Sequence, residues 1–207
     1  MELIDGLKRM QTLKQRVLFG ALCGVLPLFT STVSAAETTL VFDPPKTEIH
    51  WTLDTLLHTV HGTFQLRSGT VRFDPATGKA SGALIVDARS GQSGGSSRDA
   101  RMHSSILESA KFADIVFRPD RVEGQVPTQG KGSIRVHGQF ELHGQSHEMT
   151  LPVELIVDSR QIAAKSHFPV PYISWGLKNP STFILKVDNK VDIDIATTGR
   201  IANEGGQ

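Results

Sequence analysis

The chain has 207 residues, room for one domain of ordinary size or two very small ones. Hydrophobic residues make up 39% and charged residues 21%, which excludes both a disordered polymer and a multi-span membrane protein. With 22 Lys and Arg against 21 Asp and Glu, the chain lacks the basic excess of a dedicated nucleic-acid binder, and its single Cys excludes an internal disulfide framework.

The N-terminus reads as an address. Lys8, Arg9, Lys14 and Arg16 precede an apolar run, Val17 to Phe29, and small residues follow it up to Ala35 and Ala36. This is the three-part pattern of a secretory signal, residues 1–36, with cleavage after Ala35 or Ala36. The 13-residue run is shorter than the roughly 20 residues that span a bilayer. Cys23 has Gly20 three residues before it, not the leucine of a lipoprotein signal. Loss of the leader leaves residues 37–207 with 18 basic and 19 acidic groups and no thiol, a composition suited to the oxidising bacterial periplasm.

From Leu40 onward the periodicity is two. Ile49, Trp51 and Leu53 alternate with polar neighbours, as do Gly69, Val71 and Phe73 before a turn at Pro75–Gly78. Gly82, Leu84 and Val86 continue the pattern. Gly91–Ser97 then interrupts it with a polar, glycine-rich stretch, and Met102, Ile106 and Leu107 stand at helical spacing, which predicts a short helix or two turns over one end of a sheet. Alternation resumes at Ile134–Leu142. It continues through Met149–Val157 after a turn at Gly144–Ser146, and ends with Phe183–Val187 and Val191–Ile195. Such alternation, with turns every 8 to 12 residues or so, predicts one all-β domain of about eight antiparallel strands. Those strands would bury one face as a sandwich or as a closed barrel, and a barrel of that size is either filled by side chains or holds one small ligand.

Catalytic signatures are weak. His58 and His61 are three apart and point oppositely if they share a strand, whereas His143 and His147 flank a turn and would approach only across a hairpin. The serines lack a nucleophile elbow, Asp192 and Asp194 lie on the outward side of their strand, and no phosphate loop or dinucleotide fingerprint is present. The residues point to a protein that is not an enzyme and needs no metal. Aromatic side chains are the stronger signal: Trp51, Phe64, Phe73, Phe112, Phe117, Phe140, Phe168, Tyr172, Trp175 and Phe183 fall on apolar faces or near turns. They either fill the core or line a cavity for a hydrocarbon, in which burial gives roughly 0.8 kcal/mol per methylene.

Three stretches in order resemble the YceI-like family. Ile49–Leu53 with Val60-His61-Gly62-Thr63-Phe64 is similar to its first strand and valine-x-glycine-x-phenylalanine step. Arg98-Asp99 through Leu107, then Phe112–Phe117, is similar to its arginine-aspartate helix and following strand. Gly138–Gly144 running into Met149–Val153 resembles its central hairpin. Where many members carry an aspartate-phenylalanine-glycine-like segment, this chain has Ser174-Trp175-Gly176, keeping the glycine and losing the acid. The resemblance covers about residues 38–200 and implies a lipocalin-like barrel that binds an isoprenoid lipid, of polyprenyl or quinone type, in the periplasm. It implies a cavity walled by Trp51, Leu53, Phe64, Met102, Ile106, Phe117, Phe140, Leu142, Phe168, Tyr172, Trp175 and Phe183. Arg98 and His103 would meet the head group, and segment 98–107 would form a lid. It also implies a transient membrane-protein partner and no nucleic acid; the oligomeric state, a dimer among the options, stays open.

Overall fold

Pro44 and Pro45 sit where the first run of alternation would otherwise continue, and they divide it. The computed structural model describes residues 37–181 and 186–203; the expected leader 1–36 and Phe183 lie outside the described residues. Among those residues the strands are β1 Thr38–Phe42, β2 Glu48–Asp54, β3 Thr59–Phe73, β4 Ala80–Gln92 and β5 Asp114–Glu123. They continue with β6 Gly130–Leu142, β7 Gln145–Asp158, β8 Gln161–Val170 and β9 Val191–Asn203. β1 and β2 are two halves of one stave. Leu40 in β1 pairs with Val71 and Ile201, while Ile49 in β2 pairs with Phe64 and Ile195. A single 3-10 turn, Pro44–Lys46, separates them, because proline supplies no amide hydrogen to either neighbouring strand.

Eight staves therefore form one antiparallel barrel, closed where β3 pairs with β4 on one side and with β1 and β2 on the other. The sandwich alternative falls, since closure leaves no second sheet. The short helix α1, Ser96–Arg101, runs on into one wider π-helical turn, Met102–Ile106, between β4 and β5.

Two local irregularities decide which side chains face inward. Along β3, Val60, Phe64 and Leu66 share the inner face by even spacing, but Val71 and Phe73 are also buried at odd positions. A bulge between Leu66 and Ser68 in the β3–β4 pairing supplies the extra residue that switches parity. The Pro44–Lys46 turn does the same for the first stave, carrying it from Leu40 and Phe42 to Ile49, Trp51 and Leu53. The β6–β7 hairpin turns on His143 and Gly144, with φ of 53° and 74°, the two left-handed residues of a tight hairpin; the expected turn at Gly144–Ser146 is thus one residue earlier.

The interior divides into two tiers. Ile134, Leu155, Val157 and Ile162 cluster in one half, with Leu40, Phe42 and Ile201 packed against them and a cavity of about 420 Å³ beside Leu40, Val157 and Ile162. Phe117, Leu142, Leu151, Phe168 and Tyr172 belong to the other half, which is not solid.

On the outer surface a bulge between Pro119 and Arg121 leaves Asp120 unpaired and aims its carboxylate at His137 of β6. His137 Nδ1 lies 2.6 Å from Asp120 and Nε2 lies 2.7 Å from Glu148 of β7, so the ring ties three staves together. Hydrogen bonds to Asp120 and then Glu148 raise the pKa of His137 above its ordinary 6.5, against partial burial and Arg121. A folded-state value above the unfolded one means that this stabilisation is complete below pH 6.5 and fades as pH rises through the folded value. Chemical denaturation midpoints should therefore fall with rising pH above 6.5. His137→Gln should flatten that part of the profile; an unchanged slope in the variant would remove His137 as its cause.

Candidate functional site

Alternation delivers apolar side chains to the half that holds Leu142 and Tyr172 from several staves at once. Trp51 and Leu53 come from β2, Val60 and Phe64 from β3, Phe140 and Leu142 from β6, and Val191 and Ile193 from β9. They bound a cavity of about 600 Å³. Met102, Ile106 and Leu107 reach it from the helical segment, and Tyr172 and Leu177 from the chain after β8.

Gly62 explains how the wall is assembled. It stands between Val60 and Phe64 on the inner face of β3, opposite Trp51 in the β2–β3 register. A Cβ at Gly62 would lie 2.2 Å from the Trp51 indole and 2.3 Å from the Gln92 carbonyl oxygen. The missing side chain is thus the space the indole occupies, and the flanking Val60 and Phe64 remain free to face the cavity.

Placement of the expected site residues is uneven. Trp51, Leu53, Phe64, Met102, Ile106, Phe140, Leu142 and Tyr172 border the cavity. Phe117, Phe168 and Trp175 do not. Phe117 is buried beside Phe140 in the β5–β6 register, and Phe168 meets Phe140 edge-on with centroids 6.2 Å apart. Trp175 stacks flat on His147 at 4.1 Å and touches Phe140 at 5.6 Å. These three rings surround Phe140, which itself borders the cavity. Several wall residues were not expected. Val191 and Ile193 stood on an apolar face already and Val60 in the valine-x-glycine-x-phenylalanine step, whereas His58 and Arg101 lie outside any alternating run, and nothing local marked them as wall residues.

The polar groups have separate tasks. Arg98 stands at the rim, its Nε donating to Ser93 Oγ at 2.6 Å and Nη2 to the Ser93 carbonyl at 2.9 Å. Arg101 also stands there, with Nη2 3.3 Å from the Pro180 carbonyl. His103, expected beside a head group, is instead a clamp. Its Nε2 donates to the Gly91 carbonyl at 2.8 Å, which leaves Nδ1 to accept from the Ser109 hydroxyl at 3.0 Å. That pair fastens the helical segment to the end of β4. Tyr172 donates its hydroxyl to the Asp188 carbonyl at 2.7 Å, and burial together with the Asp188 charge pushes its pKa up to about 12. It therefore presents a neutral ring edge to the cavity. Among the described residues of the cavity wall, the cationic or imidazole side chains are Arg98, Arg101 and His58, and none is a carboxylate.

His143 and His147 each face another side chain. His143 Nε2 meets Glu108 at 2.6 Å, which holds the Glu108 carboxyl below its ordinary range, while His147 is taken up by Trp175. Among the described residues no group of three or more His, Cys, Asp or Glu is arranged to hold a metal ion.

A closed antiparallel barrel with an apolar cavity and a helical segment beside it is the architecture of the small lipocalin-like β-barrels. Residues 40–198 match the YceI-like domain, and the chain belongs to that family. UPF0312 proteins from strains of Vibrio cholerae are 29% identical over 99 residues, covering 47% of this chain and 50% of theirs. The chain thus spans about half the length of the curated relatives it matches. The fold is similar to that of BcnA from Burkholderia cenocepacia, with a TM-score of 0.62 and 15% identity over 76% of this chain and 98% of that one. It is also similar to a polyisoprenoid binding domain from Saccharophagus degradans implicated in plant cell wall breakdown. There the TM-score is 0.60, with 12% identity over 79% of this chain and 98% of that domain.

Two substitutions test the wall. Gly62→Ala should destabilise the fold by about 3 kcal/mol, because the Gln92 carbonyl is backbone and cannot swing aside as a side chain would. His103→Ala leaves buried Ser109 without its partner and should cost about 1–3 kcal/mol, with faster amide exchange confined to the helical segment. Uniform exchange in that variant would argue that His103 supports the barrel and not the helix.

Proposed function

We propose that this protein binds an isoprenoid lipid, with the prenyl tail in the cavity walled by Trp51, Phe64 and Phe140. We further propose that it carries that lipid through the periplasm after loss of residues 1–36. The observation that carries this reading is the cavity itself: about 600 Å³, apolar on every stave that reaches it, and basic only at its rim. Fold similarity to a polyisoprenoid binding domain supports it.

Size narrows the ligand. An apolar cavity of about 150 Å³ takes up one benzene, so about 600 Å³ suits roughly two dozen carbons, a tail of about four or five isoprene units. Tail burial at roughly 0.8 kcal/mol per methylene supplies the affinity, and it exceeds the cost of immobilising the lipid once about ten or more carbons are enclosed. Arg98 and Arg101 at the rim suit a head group bearing oxygen, as in a prenyl phosphate or a quinone. No catalytic step belongs to this reading. Export supplies the compartment in which such a carrier has work, since a prenyl tail is poorly soluble in the water between two membranes.

Native mass spectrometry of protein purified without detergent should reveal a bound species of roughly several hundred daltons, in keeping with the cavity volume. Phe140→Arg, which drives a charge into the apolar wall, should lower retention about a hundredfold or more while circular dichroism stays that of a β protein. A clean apo mass, with no uptake of added prenyl alcohol, would sink the proposal. N-terminal sequencing of protein recovered from the periplasm should start at Ala36 or Glu37; recovery of Met1 in the cytoplasm would remove the localisation.

A further inference from the structure

The hairpin that joins β2 to β3 ends in Thr55-Leu56-Leu57-His58, and Leu56 and Leu57 are each 72% exposed. A solvated hairpin tip ordinarily carries Asn, Gly or Asp. Two adjacent leucines in water add nothing to the barrel's core, whereas the third exposed large apolar residue, Ile156 at 47%, stands singly on β7.

The tip's backbone is unusually well provided for. Thr55 N donates to the His58 carbonyl at 3.0 Å, and Leu56 N donates to the Lys186 carbonyl at 3.0 Å. Leu57 N and His58 N both donate to Thr55 Oγ1, at 3.3 and 3.1 Å. Each amide of the four-residue tip therefore has an acceptor within the protein. The amides of such a loop can leave water without stranding a donor, which favours entry into the carbonyl-rich and hydrated interfacial layer of a bilayer.

Charge on the cavity rim beside the tip has one sign among the described residues. Arg98 and Arg101 on the cavity rim are exposed, as are Lys186 and His58. Asp54, Asp99 and Asp188 lie near the tip and keep their charge while accepting from Thr59, Ser93 and the amide of Asn189, but none of them is among the described residues that line the cavity. Thr55 and His58, which bracket the two leucines, are themselves cavity-wall residues. The apolar tip, the basic rim and the cavity entrance are thus continuous.

We propose that Leu56 and Leu57 insert into the interfacial region of a bilayer carrying anionic phospholipid, with Arg98 and Arg101 on its head groups, so that the cavity mouth rests on the membrane from which a lipid enters. The proposal rests on the lipid-binding reading above. Charge complementarity and continuity with the cavity favour a bilayer as the occupant over a second copy of the chain. Two leucines at interfacial depth and a few basic residues give reversible adhesion, which a carrier needs in order to leave again.

Vesicle flotation of the mature protein provides the test. Vesicles of phosphatidylcholine with phosphatidylglycerol should carry the protein upward, those of phosphatidylcholine alone much less, and added salt should release it. Leu56→Ser with Leu57→Ser should lower the partition coefficient about a hundredfold. Uptake of geranylgeraniol from detergent solution, followed by tryptophan fluorescence, should be unchanged in that variant, because neither leucine borders the cavity. Arg98→Gln with Arg101→Gln should weaken binding to the anionic vesicles about tenfold and leave the residual binding to neutral ones unaltered. Absence of flotation by the wild-type chain, or equal flotation by the leucine variant, overturns the proposal. So does a concentration-dependent dimer that the leucine substitutions abolish, which would assign the tip to a second copy. Flotation without any uptake of geranylgeraniol supports docking and removes the lipid-binding reading instead.

Discussion

Closure of the barrel is the constraint on which the rest of this structure depends. β3 and β9 both pair with the divided first stave, and β3 pairs on its other side with β4, so every stave has two neighbours. Backbone polar groups are then satisfied around the ring without help from the interior. The interior is free to be apolar, and because hydrogen bonding holds the wall apart, it is also free to be partly empty. A sandwich of the same strands would have to bring two faces together and fill the space between them.

How much of the ring is filled depends on tier. In the half built around Ile134, Leu155 and Ile162, aliphatic side chains cluster and leave a smaller cavity of about 420 Å³ bordered by Leu40, Val157 and Ile201. In the other half the bulky residues pack against one another: Phe117, Phe168 and Trp175 gather around Phe140, and Trp51 lies back over Gly62. Aromatic rings stacked along the wall occupy little of the axis, and the helical segment fastened by His103 covers the space they leave. Hollow and wall come from the same packing. Basic groups enter only where Arg98 and Arg101 stand in solvent, and an apolar ligand with an oxygen-bearing end fits that gradient of polarity.

Alternation of apolar residues along Ile134–Leu142 and Met149–Val157 reads directly as strands with one inward face, since side chains in an extended chain alternate by stereochemistry alone. The glycine of Val60-Gly62-Phe64 is equally legible, but its purpose is not. Only the pairing of Trp51 with Gly62 shows that the absent Cβ is the seat of the indole. His103 misled for a similar reason. A histidine beside an arginine-aspartate pair is compatible with a mouth or a clamp, and the choice rests on where the Gly91 carbonyl and Ser109 hydroxyl come to lie.

Sequence by itself thus determined an all-β domain of about eight strands, its short helical interruption and most of the inward-facing residues, because those follow from the local geometry of a few neighbouring side chains. Tertiary structure decided that the strands close, that Pro44–Lys46 and the bulge at Leu66–Ser68 switch which residues face in, and that a cavity of about 600 Å³ stays open among the walls. Bulges and closure are settled by pairing between residues far apart in the chain, and empty volume is a property of all the walls together. Neither leaves a mark on any single stretch of sequence.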